Sequence, residues 1–231
     1  VDVETGSVQR VRVDVTEATA DRMFDAVIFD FAGVLSTSPA LGMIARAADF
    51  DVDLGAMLSI MLGPLDVDSD HPWHRLERGE ITTEQYAADI EPLWRATGAT
   101  SFPSLPRGEE LLEVLQPVPE MIATARDVRA AGYRTAILTN NMREWGVWRE
   151  IWDADRLVDV VVDSCQVGLR KPNPAIFELT VELLGGPSLE RTLFVDDFPW
   201  NIAAADQMGL RTMHVTDPVA ASSELRELLD I

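Results

Sequence analysis

Ala26-Val27-Ile28-Phe29-Asp30-Phe31-Ala32-Gly33-Val34-Leu35 joins an unbroken apolar run to a carboxylate and then to a glycine. Apolar residues without polar alternation predict a strand, Ala26–Asp30, buried on both faces, as strands of parallel sheets are. Gly33 predicts a tight turn directly after it. A carboxylate at the C-terminal end of such a strand stands where open α/β sheets gather their ligands. Ala32, two residues on, places a methyl group where other parts of the chain create an expectation of a second carboxylate.

Outward from this strand the chain divides into three parts. Residues 1–24 form a polar N-terminal extension in which Val11, Val13 and Val15 alternate with charges, the pattern of a short edge strand, a swapped arm or equally a disordered lead-in. Those valines offer a surface for a homodimer. Residues 37–117 read as a helical insert. Leu41, Ile44 and Ala45 predict one helix, and Leu54, Met57, Leu58 and Met61 a second, ended by Gly63-Pro64. Trp73 and Leu76 belong to a short third helix. Thr82-Thr83-Glu84-Gln85 reads as a capping box opening a helix with Tyr86, Ile90, Leu93 and Trp94 on one side.

Beyond the insert the rhythm is helix then strand. Helices are predicted at Met121–Ala131, Arg143–Trp152, Pro174–Leu184, Trp200–Met208 and Ser222–Leu229, and strands at Arg134–Thr139, Val158–Val162, Thr192–Asp196 and Thr212–Val215. Such alternation implies right-handed crossovers and an α/β doubly wound parallel sheet, formed by 25–36 and 118–231, with the helical cap of 37–117 between its first two strands.

Composition narrows the function classes. Among 231 residues, 19 basic side chains face 39 acidic ones, a net charge of −20. No basic stripe exists to displace counterions, so nucleic acid and anionic membrane surfaces are excluded as partners, and any small anionic substrate must be drawn in by a local site. Cys165 is the only cysteine, which rules out an internal disulfide or a thiolate metal cluster and reads as a small buried hydrophobe. The acidic start lacks the apolar core of a signal peptide, and no apolar run approaches the ~18 residues that span a bilayer, so a cytoplasmic protein is expected. All but one of the basic residues are arginine. The exception is Lys171. A surface lysine tolerates that exchange; a site that needs a compact ammonium on a flexible stem does not.

Four strand ends bear polar residues: Asp30; Thr139-Asn140-Asn141; the segment Gly168-Leu169-Arg170-Lys171-Pro172-Asn173-Pro174 after the third strand; and Asp196-Asp197. Each alone has a bland reading as a cap or a solvated loop. In this order, Asp30-Phe31-Ala32-Gly33-Val34, Thr139, Lys171 and Asp196-Asp197 resemble the four motifs of the haloacid dehalogenase-like hydrolase superfamily, over about residues 25–216. Val27-Ile28-Phe29-Asp30, Arg170-Lys171-Pro172-Asn173-Pro174 and Phe194-Val195-Asp196-Asp197, followed by Asn201 and Gly209, are close to the family wording. Glu77-Arg78-Gly79-Glu80-Ile81 in the insert has the look of the N-terminal phosphatase domains of bifunctional epoxide hydrolases.

The resemblance implies a Mg²⁺-dependent hydrolase for a small phosphorylated metabolite. Asp30 would attack phosphorus to give an aspartyl-phosphate, Thr139 and the Asn140 amide would donate to phosphate oxygens, and Lys171 would neutralise charge. Asp30, Asp196, Asp197 and the backbone carbonyl of Ala32 would hold Mg²⁺. Ala32 itself departs from the phosphatase pattern, where a second Asp protonates the leaving group and then activates water, a contribution of roughly 10²–10⁴-fold. Dehalogenases dispense with that Asp but lack the Asp196-Asp197 pair. Phosphonoacetaldehyde hydrolases keep the pair but need a lysine in the cap, and Lys171 is the only lysine here. His71 and His74 in the insert are candidates for a substitute acid/base, Arg143 for meeting a substrate anion and Trp200 for lining the pocket; His214 reads as structural. The alternative is a catalytically impaired relative that binds an anionic ligand or a partner protein.

Overall fold

The computed structural model describes residues 22–39, 50, 52–99, 102–103, 105 and 109–231. Residues 1–21 of the extension, with its valines, and the helix expected at Leu41–Ala45, lie outside these residues.

Five parallel strands, β1 (Ala26–Phe29), β2 (Arg134–Thr139), β3 (Val160–Asp163), β4 (Thr192–Asp196) and β5 (Arg211–His214), form one sheet in the order β3-β2-β1-β4-β5. The chain therefore starts in the middle of the sheet and winds first one way, then the other. Strand alternation sorts side chains into two cores. Val27 and Phe29 of β1, Ile137 of β2 and Leu193 and Val195 of β4 join the core on one face. Ala26, Ile28, Ala136, Leu138 and Phe194 join the core on the other. Both faces of β1 are sealed, as its unbroken apolar run requires.

Helices cover the two faces. α5 (Pro119–Ala130) and α11 (Pro218–Leu229) pack on the first core, and α9 (Pro174–Leu183) and α10 (Pro199–Gln207) on the second. Between β1 and β2 the chain leaves the sheet and forms α1 (Leu54–Leu62), α2 (Pro72–Glu77), α3 (Thr83–Arg95) and α4 (Glu109–Val114). Met57, Met61, Leu76, Tyr86, Ile90 and Trp94 give this insert its own apolar core, with Met142 from the segment after β2 completing it. α1 stops at Gly63, and Thr82 and Gln85 close the expected capping box on α3. Among the described residues no helix is long and apolar enough to cross a membrane.

One prediction needs correction. Residues 143–152 do not form a continuous helix. A single 3₁₀ turn, Arg143–Trp145, is followed by α6 (Trp148–Ile151), and Asp153 in the left-handed region (φ 48°) precedes α7 (Ala154–Leu157). Tertiary contacts outweigh the Trp145–Trp148–Trp152 helical stripe. The Nε of Arg143 donates to the Gly79 carbonyl (3.0 Å), Glu144 accepts from the Thr83 amide (2.9 Å), and Trp148 and Trp152 wedge against Phe31 with ring centroids 4.2 and 5.0 Å away. Another short helix, α8 (Ser164–Val167), follows β3 with Asp163 as its N-cap and was not foreseen. Cys165 lies buried on it, as expected, and burial pushes its thiol pKa up.

Candidate active site

β1 and β4 pair with Phe29 opposite Val195, and the Asp30 amide donates to the Val195 carbonyl (2.8 Å), so Asp30 and Asp196 emerge side by side. Lys171 arrives from the loop between α8 and α9. Its Nζ lies 2.8 Å from Asp30 Oδ1 and 2.7 Å from Asp196 Oδ2, with the side chain almost wholly buried. Asp196 Oδ1 accepts from the Phe198 amide (2.7 Å), and Asn201 Nδ2 lies 3.1 Å from both Asp196 oxygens. Asp30 Oδ1 also accepts from the Phe31 amide (2.7 Å), which leaves Oδ2 the uncommitted oxygen among the described residues.

Asp197 completes the set. One carboxylate oxygen from each of Asp30, Asp196 and Asp197 can be chosen so that all three lie within 4.8 Å of one another. The turn of β1 makes room for it. Gly33 has φ +91°, and a Cβ there would sit 2.1 Å from Asp197 Oδ2. Only glycine both adopts this backbone and leaves the space.

The electrostatics of the cluster are unbalanced. Three carboxylates meet one ammonium. Burial raises the Asp30 carboxyl well above the ordinary carboxylate range, Lys171 opposes this, and Asp196 and Asp197 reinforce it. Asp197 is pushed up to about 7 by burial and by Asp196. Burial disfavours the Lys171 ammonium, but Asp196 and Asp30 outweigh it and the lysine stays above its usual value. Asp197 Oδ1 is buried without a hydrogen-bond partner among the described residues. A hard dication fits these residues on two counts: it answers an orphaned buried oxygen and neutralises surplus negative charge.

Thr139 stands buried at the end of β2, its hydroxyl making only a long 3.4 Å contact to the Asn140 carbonyl. The Asn140 side chain faces elsewhere. It clasps the Lys171 backbone, with Nδ2 donating to the Lys171 carbonyl (2.9 Å) and Oδ1 accepting from the Lys171 amide (2.8 Å). Ala32 occupies the β1 turn beside Gly33, half-buried.

The remaining sequence candidates make contacts of their own. His71 is the N-cap of α2, accepting from the Trp73 amide (3.2 Å); burial lowers its pKa, partly offset by the Ile60 carbonyl. His74 is fully buried, Nδ1 accepts from the Ser69 amide (2.9 Å), and burial followed by Arg170 lowers its pKa to about 4. Arg143 is held by Gly79, and Trp200 stacks on Phe198 at 4.6 Å. His214, read as structural, lies exposed at the end of β5 with Nε2 3.0 Å from the Asp197 carbonyl.

Sequence reasoning missed several supporting groups: the Phe198 amide, the Ser38 hydroxyl that bonds Asp197, and a buried pair of Arg170 with Glu77 from α2 (Nε to Oε2 2.7 Å). Asn201 was noted only for its wording. The signal for the buried pair was faint: an arginine beside the sole lysine, and an acidic residue in the insert.

A family model described as haloacid dehalogenase-like hydrolase matches residues 24–209. The chain is 34% identical over 214 residues to acyl-CoA dehydrogenase family member 10 of Mus musculus, which covers 90% of this chain and 19% of that protein. It is 26% identical over 213 residues to bifunctional epoxide hydrolase 2 of Rattus norvegicus, covering 87% and 38%. It therefore spans only a minor part of either. Sesquiterpene phosphatase astK of Aspergillus oryzae is 27% identical over 210 residues, covering 89% of this chain and 97% of that one. The fold matches that of a HAD family enzyme from Bacteroides thetaiotaomicron, solved with magnesium and inorganic phosphate, at a TM-score of 0.54 and 17% identity over 84% of this chain and 96% of that one. With the family model covering core and insert alike, this chain belongs to the haloacid dehalogenase-like hydrolases.

Proposed function

We propose that the protein is a Mg²⁺-dependent phosphohydrolase that acts on a small phosphorylated metabolite through an aspartyl-phosphate at Asp30. The observation that carries this reading is the cluster of Asp30, Asp196 and Asp197 around Lys171, with more negative charge than its own ammonium can answer. A relative that is a phosphatase over its whole length and a fold neighbour solved with magnesium and phosphate support the reading.

Asp30, Asp196, Asp197 and the Ala32 carbonyl would hold Mg²⁺, which supplies positive charge to the phosphoryl oxygens. Asp30 Oδ2 attacks phosphorus, the P–O bond to the substrate alcohol breaks, and the bridging oxygen leaves with its electron pair. Thr139 Oγ1 donates to a phosphoryl oxygen. Lys171 holds Asp30 in place and balances charge. Water then displaces Asp30 from phosphorus and releases phosphate.

Ala32 cannot protonate the leaving oxygen or activate that water. His71 and His74 are bound into the insert, so the reaction relies on a proton from solvent or substrate and is slow. The insert at 37–117 acts as the cap that shapes the pocket, and its seating over the strand ends supports that role. The methyl of Ala32 also favours a second reading, a site that binds a phosphorylated ligand without turning it over.

Phosphate release across a panel of phosphorylated metabolites tests both. Magnesium-dependent release that falls by roughly three orders of magnitude in Asp30→Asn supports the enzyme. Binding with no release across the panel supports the ligand-binding reading. Ala32→Asp is expected to raise the rate by roughly 10²-fold or more if the missing acid is the only defect.

A further inference from the structure

Two residues that neighbour each other in sequence serve different parts of the molecule. Lys171 points into the carboxylate cluster. Arg170 points the other way, into the insert. It is nearly fully buried, its Nε donates to Glu77 Oε2 (2.7 Å), and its Nη1 reaches the Val67 carbonyl (3.4 Å) and lies 3.9 Å from Asp68.

Glu77 is the last residue of α2 and is itself buried. The same Oε2 that takes Arg170 also accepts from Asn140 Nδ2 (3.4 Å). Asn140 brackets the backbone of Lys171 with both ends of its amide, so its orientation is not free. Nδ2 must face the Lys171 carbonyl and Oδ1 the Lys171 amide. A carboxylate beside Nδ2 accepts its second N–H and would repel Oδ1, so Glu77 reinforces the orientation that the Lys171 backbone sets. The Glu77 backbone is anchored as well, its carbonyl accepting from Ser164 Oγ (2.6 Å), which in turn accepts from the Asn141 amide (2.8 Å). A continuous chain of polar contacts thus runs from α2 through Glu77 and Asn140 to the backbone of Lys171, and from there along its side chain to Asp30 and Asp196.

We infer that Glu77 is a positioning residue: docked on Arg170 and Asn140, it couples the seating of the helical insert to the placement of the Lys171 ammonium between Asp30 and Asp196. The inference rests on the proposed role of Lys171. With the insert seated, the clasp is complete and the ammonium is held between the two carboxylates. With the insert lifted, Asn140 loses its second acceptor and Arg170 its counter-ion, and Lys171 loosens. The phosphoryl site is then fully assembled only under a closed insert. Glu77 acts by holding: its Oε2 is committed to two donors.

The single lysine makes the test direct. Full-length protein labelled with lysine ¹⁵N at Nζ carries one labelled side chain, and its resonance and ammonium-proton exchange report Lys171 without any need for turnover. Asp30→Asn is expected to move the resonance. If it does not, the placement of Lys171 in the phosphoryl site is wrong, a failure distinct from that of the inference. With that control satisfied, Glu77→Met is expected to shift the resonance and speed ammonium exchange roughly tenfold, the effect of losing one ordinary hydrogen bond. Glu77→Gln, which keeps an acceptor, is expected to restore most of the wild-type signal. Glu144→Met removes the acceptor of the Thr83 amide without touching Asn140 and should leave the signal in place. Arg170→Met, which releases Glu77, must move the signal as Glu77→Met does, and it keeps the test decisive if Glu77→Met does not fold. A folded Glu77→Met or Arg170→Met protein with the wild-type signal overturns the inference. So does an equal disturbance in Glu144→Met, which would mean that the coupling does not run through Glu77.

Discussion

Two charged clusters lie a few residues apart and differ in kind. At the strand ends, Asp30, Asp196 and Asp197 share one cation, Lys171. At the seam between insert and sheet, Glu77, Asp68 and Glu80 meet Arg170, Arg78 and Arg75, and the charges cancel except for the fully exposed Asp70 at the edge of Arg78. The balanced cluster is made of arginines, whose planar forks bridge several acceptors at once. Arg78 alone reaches Asp68, the Ser69 carbonyl and Glu80. The unbalanced cluster holds the only lysine, a compact point charge placed between two carboxylates. Balance suits a joint. Imbalance suits a site whose remaining charge comes from outside, as a metal ion or the reacting group.

The largest expected effect breaks the unbalanced cluster. Lys171→Met removes its only cation and leaves Asp30 and Asp196 unpaired in the interior, a cost of about 3–5 kcal/mol in unfolding free energy by denaturant titration. Magnesium should recover part of that loss, since it answers the same carboxylates. Next comes Gly33→Ala. The added Cβ meets Asp197 at 2.1 Å on a backbone that disfavours alanine, so magnesium affinity by calorimetry should fall roughly a hundredfold.

The sheet and the carboxylates were legible because each depends on short local patterns. An apolar run ending in Asp30 means a buried parallel strand, and strands wound outward from β1 bring their C-terminal ends together wherever the intervening helices lie. Asp30, Thr139, Lys171, Asp196 and Asp197 follow from that topology. The partners that hold them do not. Asn140 reads as a donor to phosphate, and that its side chain also clasps Lys171 is not visible in the sequence, because the clasp answers to a loop 31 residues away. Glu77 and Arg170 are 93 residues apart and meet only once the insert docks. The break in residues 143–152 has the same origin: the helical stripe was real, but the bonds of Arg143 and Glu144 to the insert override it. His71 and His74 looked available only because nothing in their spacing shows that one caps α2 and the other is sealed in the insert.

A third test uses pH. Asp197 lies raised, near 7, so the folded metal-free protein keeps a proton that the unfolded chain releases near the ordinary carboxylate value. Between those two points the stability of the metal-free protein falls as pH rises. Magnesium requires the ionised form, so its binding strengthens over the same window. Affinity measured at pH 8 should exceed that at pH 5.5 by about tenfold or more, with proton release on binding. The smallest effect belongs to the balanced cluster. Arg78→Met should cost about 1 kcal/mol in stability and leave magnesium affinity unchanged. A large loss of magnesium binding in that variant would erase the distinction between the two clusters.

The central proposal is that the unbalanced cluster attacks phosphorus through Asp30, and it is separable from the acid and base roles that the Ala32 methyl does not fill. Beryllium fluoride mimics a phosphoryl group on a carboxylate and needs no leaving-group acid. Fluorine NMR of the protein with beryllium fluoride should show protein-bound resonances that require magnesium and vanish in Asp30→Asn. Bound resonances that persist in Asp30→Asn, or none in the wild type with saturating magnesium, would contradict the account.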